Sequence, residues 1–162
     1  MNAQRRKLTI SVLILLPVVL ISGLLIMSLF GHRPDDLGIK NGQLKPCPES
    51  PNCVCSFAEK SDSEHSIAPL AVPSDSKQPL KTLKEVVISL PRVMVVSSEE
   101  DYLHVEFTSA LMRYVDDVEF QWLADESVIH VRSASRIGHS DLGVNRKRVE
   151  KIRELWQSAI EQ

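Results

Sequence analysis

An uncharged run of 23 residues, Leu8 to Phe30, constrains this chain more than any other feature, and seventeen of its residues are Leu, Ile, Val, Met or Phe. As a helix it would extend roughly 34 Å, enough to cross a hydrocarbon core of about 30 Å. A helix buried in a globular core rarely stays apolar for so long. Arg5, Arg6 and Lys7 precede it, which places the N-terminus on the cytoplasmic side. Pro17 and Gly23 are tolerated inside a membrane helix. The rival reading is a cleaved signal peptide, which needs a shorter apolar region and small residues at the cleavage site. Gly31-His32-Arg33-Pro34 fits that poorly, and no cysteine lies where a lipoprotein would need one. The expectation is therefore a single-pass anchor in a bacterial inner membrane with the C-terminal part in the periplasm, secretion after cleavage being the alternative.

The 162 residues suffice for one domain plus this appendage. Residues 31–162 hold 16 Lys and Arg against 21 Asp and Glu, and the charge is uneven. Residues 31–131 have 9 basic and 17 acidic side chains, whereas residues 132–162 have 7 and 4. An acidic domain is a poor nucleic-acid binder. Its basic tail suits an anionic lipid or small molecule.

Residues 1–30 are read as basic tip and anchor, residues 31–46 as an extended tether, and residues 47–162 as the domain. Two prolines and an asparagine enforce turns in Cys47-Pro48-Glu49-Ser50-Pro51-Asn52-Cys53. Residues 57–78 read as irregular. Leu80, Leu83, Val86, Val87 and Leu90 then recur at helical spacing until Pro91. Period-two alternation follows in four segments, 93–97, 102–108, 117–124 and 128–134, joined by short turns. Val149, Ile152, Leu155, Trp156 and Ala159 form the inner stripe of a closing helix over 145–160. The expected fold is α+β: a four-stranded antiparallel meander with two packed helices, preceded by one N-terminal transmembrane helix.

Candidate chemistry is sparse. Outside the cytoplasm thiols oxidise, so Cys47 and Cys53 are candidates for a loop disulfide, and one of the three cysteines, taken as Cys55, must be left over. A metal would need a fourth ligand such as His65 and a C-x₂-C spacing that is absent. Gly138-His139-Ser140-Asp141-Leu142-Gly143 sits where a nucleophile elbow would, but it reads G-x-S-x-x-G and no histidine follows Ser140, which excludes a serine hydrolase of that type. Alternation places His104, Glu106, Glu119, Gln121, His130 and Arg132 together on one sheet face, where they are either a solvated charged surface or an acid–base cluster. Arg146, Lys147 and Arg148 open the closing helix against its dipole, with Arg132 and Arg136 just upstream. With Asn145 and free backbone N–H groups they form a candidate anion site. No cofactor motif is present.

Several blocks together resemble a known family, the bacterial and plastid domain-of-unknown-function family number 1499. They are Cys47-Pro48-x-x-Pro51-Asn52-Cys53-Val54, Asp101-Tyr102-Leu103-His104 with Glu106-Phe107, and Tyr114-Val115-Asp116-Asp117-Val118-Glu119-Phe120. Val128-Ile129-His130-Val131-Arg132-Ser133-Ala134-Ser135-Arg136 and Ser140-Asp141-Leu142-Gly143-Val144-Asn145-Arg146 complete the set. The resemblance spans about Leu37 to Leu155. It implies an envelope-associated domain without an established activity, cofactor or catalytic residue. The position of Cys55 resembles a serine in the family, so the resemblance favours pairing Cys47 with Cys53. Two functional expectations follow: a non-catalytic binding module for an anionic ligand, lipid or envelope partner, or an envelope enzyme using the His/Arg/Glu cluster of the polar sheet face.

Overall fold

The computed structural model describes residues 12, 13, 15–19, 22, 23, 26 and 31–161. A mixed set of long and very short strands builds one antiparallel sheet. In chain order the elements are β1 (Cys53–Cys55), β2 (Leu70–Ala71), α1 (Pro79–Ile88), β3 (Val93–Ser98), β4 (Tyr102–Thr108), β5 (Val115–Leu123), β6 (Val128–Ser135) and α2 (Val144–Ile160). The sheet runs β1-β6-β5-β4-β3, and β2 pairs with β6 beside β1.

This corrects the expected four-stranded meander, because the sheet has six strands. The meander itself is β3 to β6, with β5 next to β4 and β6. The two additional strands are three and two residues long, too short for alternation to register in the sequence. They form because the outer edge of β6 presents unpaired N–H and C=O groups that must find partners. The expected transmembrane helix is also corrected. Among the described residues no helix is long and apolar enough to cross a membrane, and much of Leu8–Phe30 lies outside them.

Alternation in the strands decides the core. Leu103, Val105 and Phe107 of β4, Val118 and Phe120 of β5, and Ile129 and Val131 of β6 face the two helices. Against them pack Leu80, Leu83 and Val87 of α1 and Val149, Ile152 and Trp156 of α2. Pro79 starts α1, where its missing N–H costs nothing. Trp156 Nε1 donates to Ala71 O at 2.8 Å, so the largest buried side chain also fastens β2.

The expected tether is instead a strap across the other face of the sheet. Arg33 reaches Glu106, Gly38 N donates to Glu119, and Gly42 O accepts from Gln121. Asn41 and Gly42 both have positive φ, 53° and 79°, inside an antiparallel bridge between Lys40 and Gln43. That is the geometry that an Asn-Gly pair favours in a tight hairpin turn.

Candidate functional site

The polar face of the sheet is buried. His104, Glu106, Asp117, Glu119, Gln121, His130 and Arg132 are all covered by the strap and by the loop around Ser56. Strand register brings them together: His104 lies opposite Glu119, Glu106 opposite Asp117, Glu119 opposite Arg132 and Gln121 opposite His130. A buried charge must be paired, and these form two linked groups.

In the first group, Asp117 accepts from His104 Nε2 at 2.8 Å and from Arg136 Nε and Nη2, both at 2.8 Å. Arg136 also pairs with Glu106, which takes Arg33 from the strap. Burial pushes the Asp117 carboxyl up, but the Arg136 and His104 hydrogen bonds outweigh it and hold the group below the usual carboxylate range. The same contact with Asp117 raises Arg136 further above its ordinary value. In the second group, fully buried Glu119 accepts from Tyr102 OH at 2.8 Å, Gly38 N at 2.7 Å and Arg132 Nη1 at 3.2 Å. Burial, reinforced by the Glu119 charge, drives the Tyr102 phenol well above its usual range, so it stays protonated.

His130 stands apart from His104. Its ring stacks on Phe57 with centroids 3.8 Å apart. Nδ1 lies 2.9 Å from Ser56 Oγ and Nε2 lies 3.3 Å from Glu126. Ser56 Oγ also accepts from Val131 N–H, which locks the loop to β6.

The candidate anion corner does not converge. Arg132 and Arg136 lie on the polar face, committed to Glu119 and to Asp117 with Glu106. Asn145 is buried on the helix side, donating to Asn52 O and Ser135 Oγ and accepting from Ser133 Oγ and Arg148. Arg146 donates to the carbonyls of Ser63 and Glu64. The start of α2 is occupied by its own chain: Asp141 Oδ1 accepts from Gly143 N and Oδ2 from Asn145 N. Arg148 pairs with Asp116 and lies 4.8 Å from the Phe107 ring centroid.

The disulfide joins Cys47 and Cys53. Cys55 is free and buried, and burial pushes its thiol pKa up, which favours an unreactive thiol. His65 is held by Asp62 and Ser50 O. Among the described residues no three His, Cys, Asp or Glu side chains could hold a metal ion.

A cavity of about 400 Å³ opens beside His104, lined by Arg33, Tyr102, Glu99 and the strap residues Pro34, Asp35, Leu37, Gly38 and Ile39. His104 Nδ1 has no hydrogen-bond partner among the described residues, and Asp117 orients the ring from the other side. His130 and Arg132 do not line this cavity.

The blocks noted in the sequence thus meet in buried polar networks on the two faces of the sheet. Asn52 of the disulfide loop and Asn145 of α2 bond to each other and to Ser135 on the helix side, while the carboxylates of β4 and β5 pair with Arg132 and Arg136 on the polar face. A family model described as a protein of unknown function, DUF1499, matches residues 43–155. The chain belongs to the DUF1499 family. No curated protein matches it. The match begins within the strap, at the Lys40–Gln43 turn. The residues matched to DUF1499 therefore contain every partner in the polar framework except Arg33, Gly38 and Gly42. Sequence reasoning missed Asp117 as the residue that orients His104. It also missed Arg33, Asn52 and Ser56. The Asn41-Gly42 pair was the available signal that residues 31–46 turn back on the sheet.

Proposed function

We propose that this DUF1499 protein is a non-catalytic interaction module of the bacterial envelope, working in an oxidising compartment outside the cytoplasm. One observation carries the reading. The histidines and arginines able to do chemistry are tied into internal ion pairs under the strap, and His104, His130 and Arg132 share no cavity. Acid–base or anion-clamp catalysis needs such groups to converge on one substrate. The Cys47–Cys53 bond supports the compartment, since short-loop disulfides persist where thiols oxidise. With the polar face closed, binding falls to the exposed loops and ends of the sheet. Native mass spectrometry of the full chain extracted from envelopes tests this. The expected result is a bound lipid, small molecule or protein that is retained, chemically unaltered, by a His104→Asn/His130→Asn variant.

A second reading rests on His104. Asp117 fixes its ring and leaves Nδ1 toward the cavity shared with Tyr102 and Arg33, an arrangement suited to general-base work. Turnover of a model ester or phosphoester that disappears in His104→Asn, but not in His130→Asn, would establish this reading in place of the first.

A further inference from the structure

The two ends of the sheet differ in charge and in polarity. The turns β3–β4 and β5–β6 lie at one end and carry Glu99, Glu100, Asp101, Asp125 and Glu126. At the opposite end lie the α1–β3 turn, the β4–β5 loop, the β6–α2 loop and the start of α2. Two adjoining cavities join them. One brings Arg92, Ala110, Val144 and Arg148 together, and the other brings Tyr114, Ile137, Gly138 and Val144 together.

From this second end the apolar side chains point outward. Leu142 is 86% exposed and Leu111 is 71% exposed, with Val144 also exposed between the cavities. Leu142 has φ 56°, a left-handed conformation that a leucine rarely adopts. Arg92, Arg113 and Lys147 surround these tips, are exposed, and form no salt bridge among the described residues. The carboxylates nearby are already engaged within the fold: Asp116 pairs with Arg148, and Asp141 accepts from backbone N–H groups at the start of α2.

We propose that this end docks on an anionic lipid surface, with Leu111, Leu142 and Val144 entering the headgroup region and Arg92, Arg113 and Lys147 facing lipid phosphates. The inference rests on the interaction-module reading and names its partner. Apolar tips ringed by unpaired cations match an interface that is apolar beneath and anionic above. The acidic turns at the far end orient the domain in the same direction, since an anionic surface repels them.

Hydrogen exchange by mass spectrometry on the full chain tests the proposal. The chain is mixed with vesicles of phosphatidylcholine alone or of equal parts phosphatidylcholine and phosphatidylglycerol. Residues 109–114 and 137–144 are expected to exchange several-fold more slowly in the anionic vesicles. High salt should reverse the effect, and a Leu111→Glu/Leu142→Glu variant should lose it. Both side chains are exposed, so amide protection of β5 should be unchanged and reports that the variant folds. Equal exchange in the two vesicles overturns the proposal. So does protection by inorganic phosphate alone, or protection that follows protein concentration, which would mean a second copy. A protein partner retained by the Glu variant in native mass spectrometry would leave the module reading standing while the lipid proposal falls.

Discussion

Asn145 Nδ2 donates a 2.9 Å hydrogen bond to Asn52 O across 93 residues of chain, joining the disulfide loop to the first turn of α2. Asn52 in turn donates to Gly138 O at 2.6 Å, and Ser135 N donates to Asn52 O at 3.0 Å. Two asparagines thus hold three segments that have no apolar reason to meet. A buried amide offers both donor and acceptor, so it can satisfy backbone groups that a hydrophobic side chain would strand.

Asn145→Ala should therefore cost about 2–4 kcal/mol, because it strands buried partners as well as losing its own bonds. Urea unfolding of the variant measures this. A loss under half a kcal/mol would show that water replaces the amide without penalty.

The two arginines expected to form one anion site should separate on substitution. Arg136→Met leaves Asp117 and Glu106 with fewer partners in a buried setting and should cost about 3–5 kcal/mol. Arg146→Met loses only hydrogen bonds to two carbonyls near the surface and should cost about 1 kcal/mol or less. Equal losses in parallel urea titrations would contradict this division of roles.

Acid should unfold the protein partly through Asp117. Its folded carboxyl lies below the ordinary value of 3.8. A depressed folded pKa contributes stability that is present above the unfolded pKa, about 3.9, and is lost as pH falls through the folded value. Urea midpoints taken from pH 7 downward should fall most steeply below about pH 4. In Asp117→Asn that fall should be shallower, although the variant starts from lower stability.

Reduction of Cys47–Cys53 should cost about 2 kcal/mol, the loop-entropy contribution of so short a ring. Cys55 has no exposed surface, so alkylation of the native, unreduced chain should leave it unmodified and unfolding should expose it. Rapid modification of Cys55 in the native state would mean that β1 opens readily.

Period-two alternation in 102–134 was enough to specify the two faces of β4 to β6, because a strand with one apolar face reports its register through side-chain polarity, whereas a register shift between Val95 and Ser97 breaks the alternation in β3. Helical spacing at Leu80–Val87 and Val149–Trp156 likewise placed α1 and α2. Spacing alone left the cysteine pairing open; the family resemblance favoured Cys47 with Cys53, and the structure shows that bond. Only the tertiary structure decided what covers the polar face. Whether His104, Glu106, Glu119 and Arg132 meet water or a strap depends on where residues 31–45 lie, and no local pattern records that. The strap is held by Arg33 on Glu106 and by Gly38 N on Glu119, contacts 73 and 81 residues apart in sequence. The same holds for β1 and β2, which exist because the edge of β6 needs partners, and not because three or two residues prefer to be strand.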